Sequence, residues 1–267
     1  MIGSVAVGLV FVESDGTIDP STENWTAEEM VSVEVDLQAA LDWWTAREPR
    51  ADLDWVLVNE GLAYTGYEPI NRSSTMDGLW IGEAMQSLGY PKVRWVFDAV
   101  YAYLSDIRNA YATDWAFVVF VVDSSSDADG LFADNGFAGA YLGGPLLFTT
   151  LDADGYAGYL APVFAHEIGH VFWALDQYYS ARVACDKVSG VLGAPNQNSQ
   201  YSECLSDVPS VMRGGVAPYR AGALDYYACG QVGWWDRDLD GILDSIDPEV
   251  GEPKRIYLPL LRMGVEQ

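Results

Sequence analysis

Two histidines stand four residues apart in this sequence, His166 and His170, and Glu167 directly follows the first of them. On a helix, residues i and i+4 share one face, so both imidazoles can bind a single metal ion. The carboxylate of Glu167 then lies beside the ion, where it can take a proton from water that the ion activates. The H-E-x-x-H spacing therefore predicts a zinc centre on a helix.

The same motif also has a purely structural interpretation. Apolar residues flank it at 159–165 and 171–175, which is typical of a buried helix. Histidines in such a helix can be ordinary core residues that bond to backbone carbonyls. However, a buried carboxylate with two imidazoles and no partner is costly in a low dielectric, and a metal ion removes that cost. We therefore favour the metal site.

The extended motif resembles the signature of the metzincin clan of zinc peptidases, H-E-x-x-H-x-x-G-x-x-H followed by a methionine turn. The third-ligand position is Asp176, and Asp176-Gln-Tyr178 is similar to the snapalysin-like branch of the clan. The resemblance implies that His166, His170 and Asp176 bind catalytic zinc and leave a fourth place for water. It also implies that Glu167 is the general base, which later returns its proton to the leaving nitrogen.

Further downstream, Ser210-Val-Met212-Arg-Gly is the candidate methionine turn. In the clan this methionine lies under the metal as an apolar floor and does not bind it. In some relatives a tyrosine two residues later assists the oxyanion, but that position is Gly214 here. Either Tyr178 or Tyr219 would have to replace it, or no residue does.

The chain departs from the clan at the glycine that lets the backbone turn after the second histidine, which is Trp173 here. On a continuous helix, Asp176 would lie roughly 80–120° around from the two histidines, too far to share their metal. The helix must therefore break near residues 172–175. Because tryptophan lacks the freedom of glycine at positive φ, we expect the break to use another geometry. Without a break, the third ligand could be another carboxylate, and the resemblance to the clan would no longer hold. The structural alternative for Asp176 is a helix-end residue that bonds to nearby backbone groups.

Near the carboxyl end, acidic residues follow the D-x-D-x-D-G spacing of a calcium loop. Gly241 occupies the turn position, and the expected ligands are the carboxylates of five aspartates and one backbone carbonyl: Asp236, Asp238, Asp240, Asp244, Asp247 and Ile242. The non-helical flanks make it closer to a thrombospondin-type or dockerin-like loop than to a paired EF-hand. The alternative is a solvated acidic turn, but these carboxylates repel one another without a cation. We predict a structural calcium ion.

Other aspartates are weaker calcium candidates: Asp123, Asp127 and Asp129, and Asp152 and Asp154. Aspartate is common in turns, so we interpret both groups as ordinary loop residues. Among the three cysteines, Cys185 and Cys204 flank a loop that a disulfide would usefully close. The alternative is three buried thiols, with Cys229 as the third.

Charge and composition limit the possible partners. The chain has 267 residues and a formal net charge of −25. Nucleic acids and anionic membranes are bound through basic surfaces, so we expect neither as a partner. No apolar run approaches the ~20 residues that a spanning helix needs. Residues 2–12 are apolar like a signal peptide, but they lack its basic start and its small-residue cleavage site and are more typical of a buried strand. Since calcium modules outside the cell bind weakly, the calcium loop favours a secreted domain without its leader over a cytosolic protein.

Apolar periodicity predicts the elements that position these residues. Strands are expected at 4–13, 54–59, 115–122, 137–142 and 145–150, and helices near 76–88 and 93–112. A capping box at Thr26–Glu29 begins a further helix, which extends to about Glu48 with five residues inward: Met30, Val33, Leu37, Leu41 and Trp44. Pro162 falls in the first turn of the motif helix.

This order predicts an α/β fold of α+β character, a mixed twisted sheet backed by helices, of the metzincin or zincin-like type. We expect a catalytic domain at 1–234, with subdomains at 1–176 and 177–234, the second of them irregular. The calcium loop at 235–250 and a tail or linker at 251–267 follow it. The expected activity is zinc-dependent cleavage of protein or peptide substrates. The alternatives are a non-catalytic, calcium-dependent extracellular binding module and a zinc hydrolase of non-peptide amides.

Overall fold

A five-stranded sheet organises the chain in the computed structural model, which describes residues 1–91, 94–152, 156 and 158–249. Its strands are β1 (Ser4–Ser14), β2 (Asp54–Thr65), β3 (Trp115–Val122), β4 (Ala138–Ala140) and β5 (Leu146–Thr150). They lie in the order β2-β1-β3-β5-β4, and all pairs are parallel except that between β4 and β5. The prediction of a mixed sheet is confirmed.

Helices cover both faces of this sheet. One face packs against α1 (Ala27–Thr45) and α4 (Ala161–Val171), and the other against α2 (Asp77–Ser87) and α3 (Val96–Tyr111). Alternate residues of β1 therefore enter two different apolar clusters, Leu9 in the first and Val10 in the second. Burial on both faces explains why the central strands are nearly continuous apolar runs in the sequence.

Several predicted boundaries differ from the structure: β4 is shorter than the predicted 137–142, and the largest difference is at the end of β2. Strand β2 continues past its predicted end to Thr65. A bulge interrupts its pairing with β1, so that Leu9 lies opposite Asn59 and Val10 opposite Gly61, and pairing then resumes. At this bulge Gly61 has a φ of +70°, and its N–H donates to the side chain of Asn59. Asn59 and Gly61 are residue types common in turns, so the sequence predicted that the strand ends there. Helix α1 has the predicted capping box but ends at Thr45, before Glu48.

The C-terminal part has little regular structure, as predicted. It contains a hairpin of β6 (Val188–Ser189) and β7 (Ala194–Pro195), and the short helices α5 (Val216–Arg220) and α6 (Tyr226–Gln231). Single 3₁₀ turns occur along the whole chain, at Pro49–Ala51, Pro69–Asn71, Ser74–Met76, Tyr179–Ala181 and Val211–Arg213. The expected tail at 251–267 and Asp154 lie outside the described residues.

Two further expectations concern the cysteines and the membrane. A disulfide joins Cys185 to Cys204, the favoured pair, and Cys229 is a half-buried free thiol. Burial raises the pKa of that thiol to about 12. Among the described residues, no helix combines the length and the apolar character needed to cross a bilayer.

Candidate metal centre

Helix α4 carries the H-E-x-x-H motif and is fixed by two contacts with α1. The backbone N–H of Leu160, just before the helix, donates to the Asp36 carboxylate at 2.6 Å. The indole N–H of Trp44 donates to the carbonyl of Ala165 at 3.0 Å. As predicted, Pro162 lies in the first turn, where its missing N–H costs no helical hydrogen bond. The helix is thereby held in one rotational setting against the sheet.

Both histidine rings are oriented by backbone carbonyls. The Nδ1 atom of His166 lies 2.9 Å from the carbonyl oxygen of Val211, and that of His170 lies 2.7 Å from the carbonyl oxygen of Ala174. A carbonyl only accepts hydrogen bonds, so each Nδ1 carries the proton. In a neutral imidazole the Nε2 atom is then an unprotonated lone-pair donor, which is the form that binds metals.

The two Nε2 atoms converge on the carboxylate of Asp176. Its Oδ1 lies 3.0 Å from the Nε2 of His166 and 3.1 Å from that of His170, and the two Nε2 atoms are 3.1 Å apart. Three lone-pair atoms this close repel one another unless a proton or a metal ion lies between them. A tetrahedral zinc ion with bonds of about 2.0–2.1 Å separates its ligand atoms by roughly 3.3 Å. The triangle fits such an ion with an adjustment of a few tenths of an ångström.

The electrostatics of the triangle also favour positive charge at its centre. Burial lowers the pKa of His170, but the hydrogen bond with Asp176 and the charges of Glu167 and Asp176 outweigh it and raise the pKa to about 9. Burial opposes the charge of Asp176 as well, yet the hydrogen bonds with both histidines hold the pKa of this carboxyl far below its usual range.

Glu167 lies beside the triangle and is not one of its three corners. Its side chain is 7% exposed, and its Oε2 has no hydrogen-bond partner among the described residues. Burial raises the pKa of this carboxyl, although the two histidines oppose the shift. A buried carboxylate oxygen without a partner is costly to keep, so its place beside the ligands is consistent with a role in proton transfer.

The break that brings Asp176 to the histidines is a Schellman turn. The N–H of Trp173 donates to the carbonyl of His170, and the N–H of Ala174 donates to that of Gly169, both at 2.9 Å. Trp173 has a φ of +77°, so the prediction that the break would avoid positive φ was wrong. Several contacts offset the strain of this positive φ. They are the two helix-ending hydrogen bonds, a third from Ser189 Oγ to the Trp173 carbonyl at 2.6 Å, and packing of the indole.

Strain at Trp173 leads to a testable difference between two substitutions. Trp173→Gly and Trp173→Ala both remove the indole, but only glycine adopts this φ without steric cost. We expect the glycine variant to be more stable than the alanine variant by about 1 kcal/mol, the lower end of the cost of a left-handed residue. Urea unfolding of both variants at one fixed zinc concentration measures the difference. Equal stabilities would show that the left-handed turn carries no strain.

The candidate methionine turn lies against the motif helix. Met212 is fully buried, and a Cβ atom built on Gly169 would approach its Sδ to 2.6 Å. The turn also supplies two carbonyls, that of Val211 to the His166 ring and that of Met212 to the N–H of Gln177 at 2.8 Å. The segment therefore helps to position the candidate ligands His166 and Asp176, in addition to filling the space below the helix.

Buried polar side chains hold the loop that carries Asp176. Asn196 donates to the carbonyl of Asp176 at 2.9 Å, and the amide of Gln177 donates to Asp225 at 2.7 Å. Asn198 donates to the Gln177 side chain at 2.8 Å, and Gln231 accepts from the N–H of Leu175, also at 2.8 Å. Sequence reasoning missed these supporting residues. The only sequence signal was the run of amide side chains at 196–198, in a segment that was interpreted simply as a loop, and Asp225 and Gln231 gave none.

Of the two candidate tyrosines, the structure brings only Tyr178 to the metal site. Its ring centroid lies 6.1 Å from that of His166, and burial together with the charges of Asp176 and Glu167 raises the pKa of its hydroxyl. The hydroxyl of Tyr219 instead donates to the carbonyl of Ala39 at 3.3 Å, on the side of the core.

The predicted calcium loop brings its aspartates together. Ligand atoms of Asp236, Asp238 and Asp244, and of Asp238, Asp240 and Asp247, lie within 4.8 Å of one another. Gly241 has a φ of +96°, as the turn position requires. Two arginines supply part of the countercharge, Arg50 to Asp236 at 2.6 Å and Arg237 to Asp244. Buried oxygens of Asp236 and Asp247 nevertheless have no hydrogen-bond partner among the described residues. The carbonyl of Ile242 stays a predicted ligand.

Comparison with known proteins adds no relative from which a function could be taken. No family model matches the sequence, and no curated protein matches it. The chemistry of this site is therefore inferred from its own geometry.

Proposed function

We propose that this protein is a zinc-dependent endopeptidase of the metzincin type. The observation that carries the proposal is the convergence of two Nε2 atoms and one carboxylate oxygen within 3.1 Å, on histidines whose Nδ1 atoms are already bonded to carbonyls. Three protein ligands and one open place are typical of catalytic zinc sites, whereas structural sites use four protein ligands. The motif order and the mixed sheet above α4 support the same clan.

The residues around the triangle fit the hydrolysis of an amide. Bound zinc would supply Lewis-acid chemistry, polarising a carbonyl and lowering the pKa of a water molecule to about 7. Glu167, through its unpartnered Oε2, accepts the proton of the attacking water and later delivers a proton to the leaving nitrogen. Its raised pKa suits both tasks, because a carboxylate with a higher pKa is a stronger base.

Calcium belongs to the same proposal as a structural ion of the loop at 236–247. The unpartnered oxygens of Asp236 and Asp247 support it, since a cation would satisfy both. Bound calcium would strengthen the attachment of the loop at 236–247 to the segment that follows α1, where Arg50 already bonds to Asp236. Calcium binding and the disulfide are both compatible with a secreted protein.

Metal analysis of the full chain tests the proposal directly. After exposure to zinc and removal of excess metal, we expect about one zinc per wild-type chain and none above background in His170→Ala, because two ligands alone do not hold zinc. A fluorogenic unfolded protein substrate should be cleaved by the zinc-loaded wild type and not by the variant. Circular dichroism of both proteins controls for folding.

Two outcomes would contradict the proposal in different ways. A folded wild-type protein that takes up no zinc would favour the non-catalytic binding module. A zinc-loaded protein that leaves peptides intact but hydrolyses other amides would favour the second alternative. Cleavage that survives in His170→Ala would show that the activity comes from elsewhere in the chain or from a contaminant.

A further inference from the structure

A second group of buried carboxylates lies at the carboxyl edge of the sheet, away from the motif. Glu13 is near the end of β1 and Asp123 directly follows β3, and the preceding residues, Val12 and Val122, are paired. In neighbouring parallel strands, paired residues point their side chains to the same face of the sheet. The side chains of Glu13 and Asp123 therefore both lie on the face covered by α1. Glu23, from the loop before α1, interacts electrostatically with both of them.

Each of these three carboxylates is held by the backbone through one oxygen. The donors are the N–H groups of three loop residues: Trp25 to Glu13 at 3.1 Å, Ser125 to Asp123 at 2.9 Å and Ser126 to Glu23 at 2.7 Å. The other oxygens of Glu13 and Asp123 are buried and have no hydrogen-bond partner among the described residues. The two side chains are 8% and 2% exposed, so bulk water does not replace the missing partner.

Neighbouring charges increase the cost of this arrangement. Glu68 interacts with Glu13 and Glu23, and Asp127 interacts with Glu23, so all of the neighbouring charges identified are negative. None of the ion pairs within the described ranges includes one of these five residues. Burial, with mutual repulsion added, raises the pKa of Glu13, Glu23, Glu68 and Asp123. The negative charge of this group of carboxylates can be neutralised only by protons or by a cation.

The donor set identifies the type of cation. It consists of carboxylate oxygens from separate chain segments, without histidine or cysteine, and is therefore suited to a hard ion. In the part of the chain that the structure describes, these oxygens are not within 4.8 Å of one another as a group of three, unlike those at Asp176 and Asp236. Calcium uses six to eight oxygen ligands and accepts water among them, so the protein has to supply only part of the shell directly.

We propose that Glu13, Glu23 and Asp123 form a second calcium site, which ties the ends of β1 and β3 to the segment before α1. The unpartnered oxygens of Glu13 and Asp123 are its direct protein ligands, and the carboxylate of Glu23 reaches the ion through bound water. The site would be structural. Its ion fixes the segment leading into α1, and α1 in turn positions the motif helix through Asp36 and Trp44.

The test uses the zinc-loaded full chain with Asp238→Ala, which removes a ligand shared by both carboxylate groups of the loop at 236–247. Terbium, a luminescent calcium probe, should still bind to this background at about one ion per chain and be displaced by calcium. Adding Glu13→Gln and Asp123→Asn should weaken terbium binding at least about tenfold, because calcium affinity follows the number of charged ligands. Adding Asp129→Asn instead, at an exposed position of the same loop, should leave binding unchanged.

Thermal melting distinguishes a calcium site from carboxyl groups that are neutralised by protons. In chelator, the variant with Glu13→Gln and Asp123→Asn should melt at or above its parent, because charge repulsion has been removed, and calcium should no longer raise its melting temperature. If that variant does not fold, Glu23→Gln should show the same loss of response to calcium. Absence of terbium binding in the Asp238→Ala background, or a calcium response unchanged by these substitutions, would overturn the proposal. None of these measurements depends on hydrolysis, so they stand apart from the proposed function.

Discussion

Replacing Glu167 with glutamine should abolish hydrolysis while zinc stays bound. The substitution keeps the size of a side chain that is almost fully buried, and Glu167 is not a corner of the ligand triangle. It removes the group that accepts and returns the proton, and general acid–base catalysis typically contributes 10²- to 10⁴-fold. We expect kcat to fall by at least about 10²-fold, with a zinc content equal to that of the wild type.

The zinc content distinguishes a loss of chemistry from a loss of the site. An inactive Glu167→Gln protein without zinc would show that Glu167 supports the metal and would leave its role as a base unproven. Turnover close to the wild-type rate would exclude the proposed mechanism. Because Oε2 has no partner to lose, the variant should also be at least as stable as the wild type when both are without metal.

Replacing Asp176 with alanine should have the second largest effect, on zinc affinity. This carboxylate is the third corner of the triangle, and it would supply the negative charge at a bound zinc ion. Changing groups that only support metal ligands already costs 10- to 100-fold in affinity, so we expect loss of a ligand to cost at least about 100-fold. Competition with a fluorescent zinc chelator measures this directly, and hydrolysis should disappear in parallel.

The matched control for this prediction is Asp186→Ala. Asp186 carries the same charge and follows Cys185 of the disulfide loop, but it is exposed and is not part of the triangle. Its zinc affinity should equal that of the wild type. Equal affinities in the Asp176 variant and the wild type would show that another group completes the site, and the resemblance to the metzincins would then lose its main support.

Elements with strong periodicity were predictable from the sequence. The buried strand at 115–122 and the capped helix at Ala27 occur as expected, because apolar runs and capping residues act locally. The spacing of His166 and His170 predicted their convergence for the same reason. That local information also limited the prediction at Trp173, where the penalty of positive φ was known but the hydrogen bonds that offset it were not.

Contacts between distant segments were not predictable. Asp123 was interpreted as an ordinary loop residue, because its proximity to Glu13 depends on the register of β1 against β3. Asn196 and Asn198 likewise gained a role only when their loop folded over Gln177 and Asp176. A single sequence shows residue types and local periodicity, whereas buried polar networks are defined by which segments meet.

The carbonyl that orients His166 comes from Val211, 45 residues further along the chain. A nascent chain that has emerged only as far as Asp176 would possess all three ligands but not the hydrogen bond that fixes their geometry. High-affinity zinc uptake would therefore follow the docking of the methionine turn, late in folding. The metal would act as a checkpoint, retained by chains in which this 45-residue loop has closed and readily lost by those in which it has not.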